Sequence, residues 1–118
     1  MQVENMKELT NDMDWYDVWE RSFETPVLLF KHSTSCMISA RALKQVLAFQ
    51  KKENHPIDCY MVKVIESRKL SNKVASDTTI PHKSPQLLLI DKQSIVWNTS
   101  HWKITENNIR EAIQQFTD

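Results

Sequence analysis

Between Pro26 and Ile65 the chain reads as strand, helix, strand, and that order narrows its fold more than any other feature. Pro26 and the branched, aromatic run Val27-Leu28-Leu29-Phe30 suit a short buried strand. Ala42, Leu43, Val46, Leu47 and Phe49 then fall on one side of a helix whose other side carries mostly Arg41, Lys44, Gln45 and Lys51. Lys51 to Pro56 breaks that helix, and Ile57 to Ile65 returns as a second strand rich in β-branched and aromatic residues. Two strands joined through a helix imply a parallel pair with a right-handed crossover.

The junction between the first strand and its helix is Lys31-His32-Ser33-Thr34-Ser35-Cys36. Serine and threonine are helix-capping types, so Cys36 falls at or just before the first helical turn. Unpaired backbone N–H groups and the positive end of the helix dipole meet there. Both stabilise a thiolate, which makes Cys36 a candidate nucleophile. The competing reading is a small buried hydrophobe. Ser39 lies three residues on, on the same helical face, where a dithiol oxidoreductase carries its second cysteine. The motif is therefore C-x-x-S: Ser39 cannot displace a partner captured on Cys36, and a thiol from elsewhere must release it.

Ser33, Thr34, Ser35 and Ser39 are all able to donate hydrogen bonds to the sulfur. Ser39 is the best placed, and helix capping is the alternative task of whichever residue sits at the start. Lys31 and His32 are near enough to add positive charge, but a strand end points successive side chains to opposite faces, and neither is assigned a catalytic role. Cys59, inside the second strand, reads as buried filler, with resolving thiol for Cys36 as its rival role.

A chain of 118 residues with 41% apolar content is the size of one compact domain, and residues 1–118 are read as one. Its 15 basic and 15 acidic residues cancel, so no broad field draws it to nucleic acid or to a membrane surface. Met1 to Asp12 lacks the make-up of a secretory leader, and no run approaches membrane-spanning length. Two cysteines without an export signal fit a reducing cytosol, so the expected location is cytoplasmic. Glycine is absent altogether, which removes every glycine-rich phosphate loop and leaves Asn and Asp to supply left-handed backbone positions. No metal is expected, because His32 and Cys36 give two ligands with no second pair at zinc spacing.

Around the βαβ unit the chain continues in the same style. Asn11 or Asp12 can cap a first helix holding Met13, Trp15, Tyr16, Val18, Trp19 and Phe23, ending near Glu24, with its aromatic stripe read as packing. A further helix runs from Glu66 or Ser67 through Leu70, Val74 and Ala75 to about Asp77. Thr78 to Pro85 is a proline-punctuated loop leading into a third strand, Gln86 to Ile90. Asp91-Lys92-Gln93-Ser94 is a tight turn, and Ile95 to Thr99 returns as the second arm of an antiparallel hairpin. Thr105 and Glu106 open a last helix with Ile109, Ala112, Ile113 and Phe116 at helical spacing. The predicted order is α-β-α-β-α-β-β-α.

That order is similar to the thioredoxin-like fold, an α/β class with a central mixed sheet of about four strands flanked by about four helices. The resemblance implies a cis-proline just before the third core strand, facing the reactive cysteine, and Pro85 in Ser84-Pro85-Gln86 holds the matching place. More specifically, Phe30 to Ser39, His82 to Gln86 and Trp97 to Thr105 together resemble the monothiol bacilliredoxins, the YtxJ-like family of Gram-positive bacteria, over nearly the whole chain. The family usually has Cys-Pro-Ile-Ser where this chain has Cys36-Met37-Ile38-Ser39, so the proline that stiffens the first helical turn is missing and an oxidisable thioether stands in its place.

The resemblance implies a cytoplasmic oxidoreductase of oxidative stress that removes bacillithiol from mixed disulfides on client proteins, with Cys36 as nucleophile. Bacillithiol is then a co-substrate, and no cofactor is bound. Because bacillithiol carries carboxylates and a sugar, its pocket should offer backbone donors near Ser84 and Pro85 and polar or cationic side chains such as Lys83 and His82. His101 and Trp102 are expected to brace the fold. Two other classes compete. One is a redox-inert thioredoxin-fold binding or stress adaptor with a peptide in the groove near Pro85. The other is a thiol peroxidase, suggested by Ser33 three residues before the cysteine.

Overall fold

A computed structural model describes residues 6–52 and 57–117. In chain order the elements are β1 (Met6–Glu8), α1 (Asp12–Arg21), β2 (Val27–His32), α2 (Met37–Lys52), β3 (Asp58–Lys63), α3 (Arg68–Thr78), β4 (Gln86–Asp91), β5 (Ser94–Ser100), a 3-10 turn (His101–Lys103) and α4 (Glu106–Phe116). The sheet order is β1-β3-β2-β4-β5. β3 runs parallel to both β1 and β2, while β4 is antiparallel to β2 and to β5. The predicted helix break at Lys51 to Pro56 falls largely outside the described residues; α2 itself persists to Lys52.

The sequence reading anticipated this architecture except for β1. Met6-Lys7-Glu8 buries only Met6, and three residues are too few to show a period of two. What makes it a strand is its partner: Met6, Lys7 and Glu8 pair with Cys59, Tyr60 and Met61, and the Leu9 N–H donates to Met61 O at 2.8 Å. β2 shows the opposite case. All six of its residues are buried, because it lies in the middle of the sheet and helices cover both faces. Leu28 and Phe30 pack with Val46, Phe49, Ile109 and Ala112 of α2 and α4. Val27 and Leu29 pack with Trp15, Val18, Leu70 and Val74 of α1 and α3. Each of the Val, Leu, Ile and Phe side chains among these contributes about 1.5–3 kcal/mol by leaving water.

α1 corrects the sequence reading at its end and on its exposed side. Asn11 is the cap, accepting from the Asp14 N–H at 2.9 Å, but the helix stops at Arg21, and Met13, Tyr16 and Phe23 are exposed. Only Trp15 and Val18 are fully buried; the Trp15 indole N–H donates to Asp77 at 2.9 Å, and Trp19 packs 5.3 Å from its ring. Among the described residues the expectation that Asn and Asp supply left-handed positions does not hold. The positive-φ ones among the described residues are Thr79, Lys92, Gln93 and His101. Lys92 and Gln93 form the two-residue hairpin turn, and their N–H groups are held by Ser22 O at 2.8 Å and Ser22 Oγ at 3.0 Å. Tertiary hydrogen bonds thus stabilise a backbone shape that residue type alone disfavours.

Candidate active site

The chemistry gathers where the parallel strands end and the next helices begin. β2 finishes at His32, the chain turns through Ser33-Thr34-Ser35, and α2 starts at Met37. The Cys36 N–H donates to Ser33 O at 3.3 Å, and Cys36 O accepts the first helical bond, from the Ala40 N–H at 3.0 Å. Cys36 therefore occupies the cap position of α2, next to the N–H groups of a first turn that has no preceding turn to bond. Its side chain is half-buried, while the neighbouring Met37 is 89% exposed at the rim.

The hydroxyls around it hold the loop together instead of reaching the sulfur. Ser39 is fully buried; its Oγ accepts the Ser33 N–H at 3.0 Å and lies 2.6 Å from His32 Nδ1. Burial is the main cause holding His32 below its ordinary pKa, Lys63 lowers it further, and Glu66 opposes. A neutral ring with Nδ1 as acceptor takes the Ser39 O–H, while Ser39 Oγ accepts the Ser33 N–H. Ser35 Oγ pairs with Ser33 Oγ at 3.3 Å, and the Thr34 hydroxyl donates to Glu66 at 3.3 Å. Ser39, Ser35 and Thr34, expected to stabilise the thiolate directly, thus act in this structure by fixing the strand-to-helix turn that carries Cys36. The reason is competition: nearer polar groups engage these hydroxyls.

Facing this turn is the loop before β4. The Ser84–Pro85 peptide is cis, Pro85 is buried, and its carbonyl accepts the His101 N–H at 3.0 Å. Gln86 pairs with Lys31, so one step further along the two strands Pro85 comes opposite His32, beside the turn to Cys36. His82 is exposed, with Nδ1 3.4 Å from Ser71 Oγ of α3. Burial lowers its pKa, with Lys31 and Arg68 adding to the effect. Lys83 is exposed to solvent on the same loop. Trp102 is also exposed, its ring 5.2 Å beneath the Arg41 guanidinium of α2.

Cys59 takes no part in this site. It is 4% exposed, and burial pushes its thiol up to about 12. It is level with Leu28, four residues before the end of β2, which is about 13 Å at the usual strand rise. A disulfide to the cap of α2 needs Cα atoms within about 7 Å. Its rival role as resolving thiol is therefore set aside.

Lys31 and His32 are separated as strand geometry requires. His32 faces α2 and stacks on Phe30 with ring centroids 5.4 Å apart, while Lys31 faces α3 with 1% of its surface exposed. Sequence reasoning gave Lys31 no function, although a lysine in an otherwise apolar central strand was the available signal. Among the described residues no group of three or more His, Cys, Asp or Glu is arranged to hold a metal, and no helix is long and apolar enough to cross a membrane. A cleft of about 340 Å³ between β5 and α4, lined by residues such as Trp97, Asn108 and Glu111, includes none of the residues around Cys36.

Comparison with known proteins adds an independent line. A family model described as monothiol bacilliredoxin BrxC matches residues 7–109. A solved structure described as a proposed oxidoreductase with a thioredoxin fold superposes with a TM-score of 0.84 at 29% identity, covering 92% of this chain and 94% of that one. Thioredoxin from Fasciola hepatica has a TM-score of 0.76 at 16% identity over 95% of this chain and 100% of its own. Thioredoxin from Nicotiana alata has a TM-score of 0.77 at 12% identity over 97% and 94%. These two, at such low identity, speak for the fold alone.

Proposed function

The chain belongs to the monothiol bacilliredoxin family, a thiol oxidoreductase family with the thioredoxin fold, and from that premise we propose that it removes bacillithiol from protein mixed disulfides through Cys36. The observation that carries this reading is the isolation of Cys36. Of two cysteines in the chain, one is sealed in the core, and the position three after Cys36 is a serine locked to His32. A thiol so placed can accept a partner but cannot expel it intramolecularly.

The Cys36 thiolate attacks the bacillithiol sulfur of the mixed disulfide. The client cysteine leaves as a thiolate, and Cys36 keeps bacillithiol as a disulfide. A second bacillithiol thiolate then attacks the bacillithiol sulfur on Cys36, releasing bacillithiol disulfide and regenerating the Cys36 thiolate. The net reaction converts the mixed disulfide and one free bacillithiol thiolate into the client thiolate and bacillithiol disulfide, with the free bacillithiol as the reductant. The cap of α2 supports the departing and returning charge on sulfur, and the backbone around Ser84 and Pro85, with His82 and Lys83 on the same loop, forms the opposite wall for the bound thiol. The reducing cytosol, where bacillithiol is kept as a thiol, is the compartment this cycle requires.

The test is intact mass after mixing the reduced protein, and separately Cys36→Ser, with bacillithiol disulfide. One bacillithiol adduct is expected on the wild type, none on the variant, and excess bacillithiol should release it. No adduct on either protein rejects exchange in favour of a redox-inert adaptor.

A further inference from the structure

Lys31 has 1% of its surface exposed in the central strand, and lysines are seldom so buried unless paired. Among the described residues it makes no ion pair and no hydrogen bond, and burial is the one cause acting on its titration. Directly opposite across the β2–β4 ladder is Gln86, so the two side chains leave the sheet on the same face with Cβ atoms about 5 Å apart. The Gln86 amide donates to Pro81 O at 3.2 Å, which leaves its Oε1 buried without a partner. Two residues earlier, Ser84 Oγ is buried and partnerless as well. His82 closes the outside of the cluster, near enough to feel the Lys31 charge, and Arg68 at the start of α3 is the other cation in its surroundings.

Lys31, Ser84 and Gln86 thus belong to the strand pair and loop that face Cys36, and Ser84 Oγ and Gln86 Oε1 each lack the partner that burial demands. Lys31 is two residues before Ser33, where the chain leaves β2 for Cys36, or about 7 Å along the strand. The acid group of a small thiol has to reach this cluster from Cys36, three residues beyond Ser33 at the cap of α2.

The geometry points to a carboxylate-binding subsite beneath the cis-proline loop, in which Lys31 and Ser84 donate to the acid group of a small thiol whose sulfur is at Cys36, while Gln86 Oε1 accepts a neighbouring O–H or N–H. This deepens the exchange reading above and rests on it. The subsite makes the protein select small disulfides by charge at a position remote from sulfur. The chemistry at Cys36 is unchanged; the acid group raises the share of encounters held in register.

The probes are two symmetric disulfides, the dicarboxylate 3,3′-dithiodipropionate and the neutral 2-hydroxyethyl disulfide. Rate constants for mixed-disulfide formation at Cys36 are measured by mass spectrometry for the full chain and for Lys31→Met. The wild type should favour the dicarboxylate, and the variant should lower that preference about tenfold, the value of one charge-assisted contact. In the wild type the preference should also fall as pH rises through about 8, where the ammonium loses its proton, and remain flat in the variant. The ratio cancels the ionisation of Cys36. His82, already held below its ordinary range, stays neutral across that window.

The pH series on the wild type keeps the test decisive if the variant fails to fold. Equal rates with both probes, or a preference indifferent to both pH and Lys31→Met, overturns the subsite and leaves exchange standing. A Cys36 that exchanges with neither probe overturns both.

Discussion

Lys31→Met should stabilise the protein. Burial takes the Lys31 ammonium from 10.5 down to about 8. At 1.36 kcal/mol for each pH unit, that corresponds to about 3 kcal/mol of folding free energy. Below about pH 8 the lysine is protonated both folded and unfolded, and the full cost stands. Between about 8 and 10.5 the unfolded chain holds the proton more tightly, so wild-type stability rises with pH; above 10.5 the cost is gone. Methionine keeps most of the side-chain volume and carries no charge to desolvate.

The variant should therefore exceed the wild type by about 3 kcal/mol at pH 7, with the gap closing as pH approaches 10.5. Tyr60 and Cys59, both raised by burial, also make stability depend on alkaline pH but do so in both proteins, so their contributions cancel in the difference. Urea unfolding followed by tryptophan fluorescence at several pH values measures the gap, provided the denaturant slope is shared. A variant less stable than the wild type at pH 7, or a gap indifferent to pH, refutes the reasoning.

Ser39→Ala should cost about 2 kcal/mol, because it strands the Ser33 N–H and His32 Nδ1 in a buried site, while Ser39→Cys should turn the adduct with bacillithiol disulfide into an internal disulfide two hydrogens lighter than the reduced protein. Chemical unfolding measures the first and intact mass the second; a stable bacillithiol adduct on Ser39→Cys contradicts the helical juxtaposition of the two positions. In the native protein at about pH 8, iodoacetamide should label Cys36 and spare Cys59, whose thiol is sealed and stays protonated, and peptide mapping after a short pulse checks this. Thr79→Gly should stabilise by up to about 1 kcal/mol, since a β-branched residue ends α3 in the left-handed region at φ 60; thermal melting at fixed pH reads the gain.

The elements that sequence made legible are those whose own residues enforce them. β2 is apolar on both faces, and α2 carries a clear apolar stripe. The proline before Gln86 marked the loop facing Cys36. What escaped was decided by partners. β1 exists because β3 offers an edge, and at the end of α1 the Ser22 carbonyl and hydroxyl accept from the distant Lys92–Gln93 hairpin. The roles of the hydroxyls were hidden for the same reason, since a serine beside a cysteine in sequence gives its hydrogen to whichever acceptor lies nearest in space. For Ser39 that is a ring on the preceding strand. Lys31 reads in the sequence as a strand-end residue without a role, and its isolation is a property of what surrounds it.

The Lys92–Gln93 turn also has a practical consequence. β4 runs from the loop facing Cys36 to this hairpin, about 17 Å away at the usual strand rise. The turn is anchored through its backbone N–H groups, which leaves the exposed Lys92 side chain as a handle. A fluorophore grafted there reports on whether the molecule is folded while remaining remote from disulfide exchange, so turnover and unfolding can be followed separately on one labelled protein.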